Sequence, residues 1–440
     1  MQPVVVALKQ TAEKTRVEPS GELQRLLLIA PHSSYRISPY ISAAQKLGVE
    51  VMVASTSEHS LVSEVAEGLR VNLDTTADNS EPSLELIVKA HRNKPFTGVI
   101  ATDDSAVSLA SRAARELGLP HNPPEAVRLT QRKDMARACL AENGVPVPDF
   151  RRIDLFVDIN TQILDLSYPC VIKPLSLSGS RGVIRVDNPE ACIVACRRIQ
   201  KIVAELPEEE SQRFLLIESY IPGIEVAVEA MLNNSELQLL ALFDKPDALE
   251  GPYFEETYYV TPSRLPEHQQ NLIVQRVADA CSAYGLVNGP VHAELRLHKN
   301  EAWILEVAAR TIGGQCAQLL RHGTGHGLEE LVIAQATGNI LQSDVNDTAA
   351  GVLMIPIPNA GILRRVEGLA AARRVPHITE VEISVRSGYE LIPLPEGAAY
   401  LGFIFAQGPD PESVENALRH AHAKLKFITA PTWKLSSEMN

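Results

Sequence analysis

Over the first third of the chain, apolar residues cluster in short runs separated by longer amphipathic stretches. The run Leu-Leu-Leu-Ile-Ala at 26–30 reads as a buried strand, and 49–53 and 98–101 read as two more. Helical patterns stand beside them, one through 43–47 and one from Ala106 to Leu117 that stops at Gly118. Strands alternating with helices predict an open, mostly parallel sheet. No G-x-G-x-x-G accompanies these strands, so a dinucleotide site is not indicated. The first ~20 residues are polar and irregular and read as a flexible lead-in.

From Thr130 the pattern changes. Residues 131–143 read as an amphipathic helix closed by Gly144, and Pro146 and Pro148 mark a boundary. Residues 168–186 read as strand, loop and strand, 190–205 as a helix and 214–217 as a strand. Strand-like runs follow at 224–232, 237–243, 291–297 and 302–307, with a helix near 270–284, which predicts an antiparallel middle region. Residues 350–440 carry several β-rich runs and then a helix from Pro411 to Lys424. The expected division is 1–125, an N-terminal α/β unit; 126–345, a middle unit with a loop-bearing lobe at about 146–222; and 346–440, a C-terminal α+β unit.

Composition narrows the function classes. The chain has 440 residues, 45% of them hydrophobic and 22% charged, which fits a globular protein of two or three packed units. There is no basic-then-apolar leader and no apolar stretch of spanning length, so a cytoplasmic location is expected. A formal charge of −13 disfavours a nucleic-acid backbone as partner but leaves room for a nucleotide held at a local basic site. The six cysteines form no CxxC pair; Cys192 and Cys196 lie one helical turn apart without a completing zinc set, and reduced thiols are expected.

Three segments carry candidate chemistry. In VIKPLSLSGSRGVIRV (171–186), Lys173 ends a strand beside a Ser/Gly loop whose backbone N–H groups could approach phosphate, with Gly179 and Gly182 allowing close approach. A solvated lysine at a strand end is the competing view. In LIESYIPGIE (216–225), a strand running into a turn at Pro222-Gly223 could read the edge of an adenine through its backbone, with Glu225 accepting from ribose hydroxyls; an ordinary strand, turn and strand competes. In HAELRLHKNEAWILEVAAR (292–310), a turn at Lys299-Asn300 pairs two strands. His292, Glu294 and Arg296 then share one face, and Glu306, Ala308 and Arg310 share one face of the partner. Inward carboxylates on apolar strands call for cations, and magnesium on the phosphates of ATP would supply them. If the glutamates are instead solvated, Trp303, Leu305 and Val307 opposite them form the core.

Taken in order, KPLSLSGSRGV, IESYIPGIE and the paired strands ending LEVAARTIGGQ resemble the ATP-grasp superfamily. More narrowly, they resemble the L-amino-acid ligase and carnosine-synthase-like carboxylate–amine ligases, over roughly 22–440. The resemblance implies a two-lobed core in which a glycine-rich hairpin folds over ATP. It implies that Lys133 (in QRKDMA) and Lys173 contact phosphates, and that Ser178, Gly179, Ser180 and Gly182 belong to the flap. Glu218 and the backbone of Ser219 and Ile221 would meet adenine, Glu225 the ribose, and Glu294 and Glu306 would hold Mg2+, with Mn2+ as an alternative. Where many members carry a metal-binding Asn, this chain has Ala308.

The implied reaction passes a phosphoryl group from ATP to a substrate carboxylate, after which an amine displaces phosphate. Arg310 is the implied carboxylate and oxyanion partner. Gly313 and Gly314 would add N–H donors or serve only as a turn. Glu255 or Glu256, in GPYFEETYYVTPSRLP, would bind an amino acid's ammonium group or lie in a surface loop, and His292 would face the cleft or be structural. Implied partners are ATP and small carboxylates and amines, with amino acids foremost and a homodimer allowed; no nucleic acid or membrane is implied. Rival readings are a carboxylase, a purine-pathway ligase, or an ATP-binding regulator without turnover. The first would need a biotinyl-lysine segment not found in this chain, and the last would predict loss of the flap glycines or the acids, all of which are present.

Overall fold

The computed structural model describes residues 24–57, 66–73, 77–339, 341 and 348–432; the expected lead-in lies outside them. The strand Arg25–Ile29 sits inside a four-stranded parallel sheet in the order Glu67–Arg70, Glu50–Ser55, Arg25–Ile29, Gly98–Ala101. Its unbroken apolar run follows from burial on both faces. Leu26 and Leu28 pack with Ile37 and Tyr40 on one side, while Leu27 and Ile29 pack with Ile87 and Leu109 on the other.

A second, antiparallel sheet of four strands runs Phe150–Asp154, Phe214–Ser219, Cys170–Pro174, Ile184–Val186. The helix Pro189–Val203 covers it, its Asn188 side chain accepting from the Ala191 N–H at the N-terminus. Cys170, Cys192 and Cys196 are buried between helix and sheet as free thiols, so their spacing serves packing.

The third sheet has eight strands, in the order Glu301–Ala308, Gly289–His298, Ile224–Asn233, Glu236–Asp244, Tyr258–Thr261, Ala349–Ile355, Gly402–Gly408, Ile378–Ile383. Residues on both sides of the 345/346 division join in it, because Tyr258–Thr261 pairs with Ala349–Ile355. The C-terminal stretch also has a small three-stranded sheet and the helix Pro411–His422. Parallel α/β and antiparallel α+β parts stand together, as the sequence pattern predicts.

Two local readings are corrected. The helix expected over 131–143 runs from Lys133 to Glu142; Gln131 instead ends a preceding helix, Pro124–Gln131, with Arg132 extended between them at φ −126° and ψ 101°. Arg132 is held there by Asp134 and Glu210, so Lys133 opens the second helix. The first helix has proline at its N-terminus, where no backbone N–H is needed for an intrahelical bond. The core under the paired strands also differs from strict alternation. The register slips between Glu294 and Leu295, where Leu305 is the extra residue opposite. Parity therefore changes at Leu305: Ala302, Ile304 and Val307 are buried in the core, while Leu305 joins Glu306 on the cavity side.

Candidate active site

A cavity of about 590 Å3 lies among the parallel unit, the four-stranded antiparallel sheet and the eight-stranded sheet. That volume is within the range of small-molecule sites. Lys133, Lys173, Ser178, Gly179 and Ser180 line one part of it, with Glu218, Ser219, Ile221 and Glu225 beside them. Glu256, His292, Glu294, Glu306, Arg310, Gly313 and Gly314 line the rest. Residues read from five separate stretches of sequence thus face one space.

Two expected residues stand elsewhere. Glu255 does not line the cavity; its carboxylate accepts from the backbone N–H of Ile357 at 3.2 Å. Its neighbour Glu256 does line the cavity. Gly182 also lies outside the cavity lining. Its N–H donates to Pro395, and with φ at +74° a Cβ there would come within 2.8 Å of Pro174 Cγ. Both this φ and the closeness of Pro174 require glycine at 182.

At the lysine end the charges are paired. Lys173, on the strand Cys170–Pro174, is buried and reaches Glu218 at 2.5 Å, and Arg137 reaches the same carboxylate at 2.7 Å. Burial pushes Glu218 up, but Arg137 and Lys173 outweigh it and hold the carboxyl below its ordinary range. Burial lowers Lys173, with Glu218 only partly offsetting it. Two cations against one anion leave this end locally positive. Lys133 Nζ donates to the Leu177 carbonyl at 2.8 Å and stands 3.3 Å from Glu306, so it ties the Ser/Gly loop to the acid-bearing strand.

The acids occupy the facing strands. Glu294 and Glu306 are direct cross-strand partners. Glu294 also belongs to a cluster with Glu225 and Glu256, whose oxygens lie within 4.8 Å of one another. Buried Lys245 sits among these three at 2.9 Å from Glu225, 2.7 Å from Glu256 and 3.3 Å from Glu294. Burial and the Glu294 charge push Glu256 up to about 7 against the pull of Lys245. Burial also pushes Glu294 up, yet Lys245 and His292 hold it well below the usual carboxylate range. His292 lies between Glu229 at 3.4 Å and Glu294 at 3.5 Å; burial lowers it, and the two carboxylates raise it to about 9. The Glu225 carboxylate is fixed by Lys245 and by Arg296 at 2.9 Å, and Arg296 also binds the Ile221 carbonyl.

At the remaining end, Arg310 makes a two-pronged pair with Asp104 at 2.9 Å, and Arg36 binds Asp103 and the Ile312 carbonyl. Gly314, at φ +61°, packs so tightly on Met354 that a Cβ would fall 2.1 Å from its sulfur. The turn at 313–314 is thus fixed by packing as well as by backbone conformation.

The Ser/Gly loop is clasped from outside. Arg181 Nε donates to the Glu396 carbonyl at 2.9 Å, and the Gly182 N–H donates to the Pro395 carbonyl at 2.9 Å. Arg198, on the helix behind the loop, grips the Glu396 carboxylate at 2.6 and 2.8 Å. The Arg198–Glu396 pair is about 40% exposed on each side, so it adds little global stability. Its loss is felt locally. In Glu396→Ala, amide exchange at 181–183 is expected to rise roughly two- to five-fold with the large sheet unchanged. Unaltered exchange at those amides would show that the Arg198–Glu396 pair does not restrain the loop.

Three family models match along the chain: the ATP-grasp N-terminal domain over 41–121, the ATP-grasp domain over 166–318, and the L-amino acid ligase C-terminal domain 2 over 353–430. The chain belongs to the ATP-grasp family. Its structure resembles that of the L-amino acid ligase from Bacillus licheniformis, with a TM-score of 0.77 and 25% identity over 92% of this chain and 99% of that one. The alanine–anticapsin ligase of Bacillus subtilis is 23% identical over 269 residues, 58% of this chain and 56% of that protein. Carnosine synthase 1 of Mus musculus is 25% identical over 295 residues, 62% of this chain and 34% of that protein. The matched region thus spans about half and about a third of those two relatives.

Several residues of this ATP-grasp ligase escaped sequence reasoning: Asp104, Arg36, Arg137, Lys245 and Glu229. Only Asp104 carried a signal, as an acid in the first turn after the strand Gly98–Ala101, the end of a parallel sheet where ligands gather. The others become site residues only through long-range packing. Among the described residues no helix is long and apolar enough to cross a membrane.

Proposed function

We propose that this protein is an ATP-dependent carboxylate–amine ligase that joins an amino-acid carboxylate to an amine through an acyl phosphate. The observation that carries the reading is one cavity lined by two lysines, two facing glutamates and an arginine. Lys133 and Lys173 neutralise the phosphates of ATP beneath the loop at 178–180. The backbone at 218–221 receives the adenine, and Glu225, held by Lys245 and Arg296, receives the ribose.

Glu294 and Glu306 offer the hard oxygen donors that a divalent cation requires, while Ala308 adds none. Bound there, magnesium or manganese would supply charge neutralisation for phosphoryl transfer. The substrate carboxylate attacks the γ-phosphorus, the bond to the β-phosphate oxygen breaks, and ADP leaves. The amine then attacks the acyl carbon and loses a proton, and phosphate departs with its electron pair. Arg310, oriented by Asp104, binds the carboxylate and stabilises the tetrahedral oxyanion, with N–H groups of 313–314 nearby. Glu256 stands where it can meet a substrate ammonium group.

Purified protein given magnesium, ATP and a panel of amino acids is expected to produce ADP and inorganic phosphate in equal amounts. Chromatography of the nucleotides decides the matter. AMP and pyrophosphate as main products would overturn the acyl-phosphate route.

A further inference from the structure

Every carboxylate lining the cavity has a cationic partner within 4.0 Å, apart from Glu382. Among the described residues its side chain meets only neutral donors: Ser384 Oγ at 2.9 Å and Gln315 Nε2 at 3.3 and 3.5 Å. Glu382 lies on Ile378–Ile383, one edge strand of the eight-stranded sheet, whereas Glu306 lies on Glu301–Ala308, the opposite edge strand. The two acids therefore mark opposite sides of the same cavity. Directly across the strand pair from Glu382 is Phe403, which also lines the cavity. A carboxylate beside an aromatic ring is a pairing suited to an ammonium or guanidinium ion.

Gln315 connects this point to the reacting end, since it follows Arg310 by five residues through the 313–314 turn. Its own backbone is left-handed at φ 56°, and from that conformation its amide reaches Glu382.

Resting on the ligase reading above, we propose that Glu382 is a specificity-determining residue that binds the cationic side chain of a basic amino-acid substrate. The reacting group of that substrate lies toward Arg310, and its side chain runs along Phe403 to Glu382. The other acids of the cavity each have a protein cation within 4.0 Å, so Glu382 is the lining carboxylate left for a charged side chain of the substrate.

The test uses pairs that differ in charge but little in shape. L-lysine against L-norleucine and L-arginine against L-citrulline are titrated calorimetrically into full-length protein with magnesium and a non-hydrolysable ATP analogue. The basic member of each pair is expected to bind roughly 10- to 100-fold more tightly. In Glu382→Gln, which keeps shape and the neutral hydrogen bonds, that ratio should fall toward one. Glu382→Lys should turn the preference toward L-glutamate over L-glutamine. Equal affinities for charged and neutral partners in the parent protein, or an unchanged ratio in a folded Glu382→Gln variant, would overturn the proposal. ADP release with neutral amino acids would in that case leave the ligase reading standing. No ADP release with any amino acid would remove both.

Discussion

Turnover by a Lys173→Ala variant is expected to fall 10²- to 10³-fold, the ~3–4 kcal/mol typical of losing one contact to developing charge. Its melting curve should stay close to that of the parent. The reason lies in the charge arrangement around Glu218. With Lys173 removed, Arg137 still pairs with that carboxylate at 2.7 Å, so the buried group passes from net positive to neutral. What disappears is the surplus cation that the nucleotide phosphates would meet. Single-turnover kinetics with ATP and a responsive amino acid, alongside calorimetric melting, separates the two effects. Near-parental turnover would remove Lys173 from the phosphate site, and a large drop in melting temperature would show that its role is structural.

Glu218→Leu should do the opposite and damage the fold. It leaves Lys173 and Arg137 buried together without a counter-charge, and breaking a buried pair from one side costs ~3–5 kcal/mol. Adding Arg137→Leu removes one of the stranded cations, so the double variant should recover part of that loss. Chemical denaturation of the parent, both single variants and the double variant gives the coupling energy. Additive losses would mean that Glu218 and Arg137 do not depend on each other, whatever their distance.

Most of the architecture could be read from hydrophobic patterning, because both buried parallel strands and half-buried antiparallel ones leave a local mark. Arg25–Ile29, Cys170–Pro174 and the pair ending in Glu306 were visible for that reason. The facing of Glu294 and Glu306 was visible too, since a short turn fixes register. Alternation failed at Leu305, where one extra residue reverses parity without leaving any sign in composition. It also failed to tell Glu255 from Glu256, where a one-residue shift decides which of two identical side chains enters the cavity. Lys245 and Arg137 were invisible for a different reason: each is brought to its acid by contacts between distant segments. Glu382 belongs with them, on a strand that joins the sheet from the far end of the chain.

The clasp on the Ser/Gly loop has a consequence for biosynthesis. Arg181 and its partner at Glu396 are separated by 215 residues. At ribosomal rates of ~5–20 residues per second, the loop emerges roughly 10–40 s before the segment that pins it. The strand Gly402–Gly408, which closes much of the large sheet's C-terminal side, emerges later still. A growing chain therefore carries Lys133 and Lys173 well before it can assemble the cover above them, and the cavity is completed only as translation approaches its end.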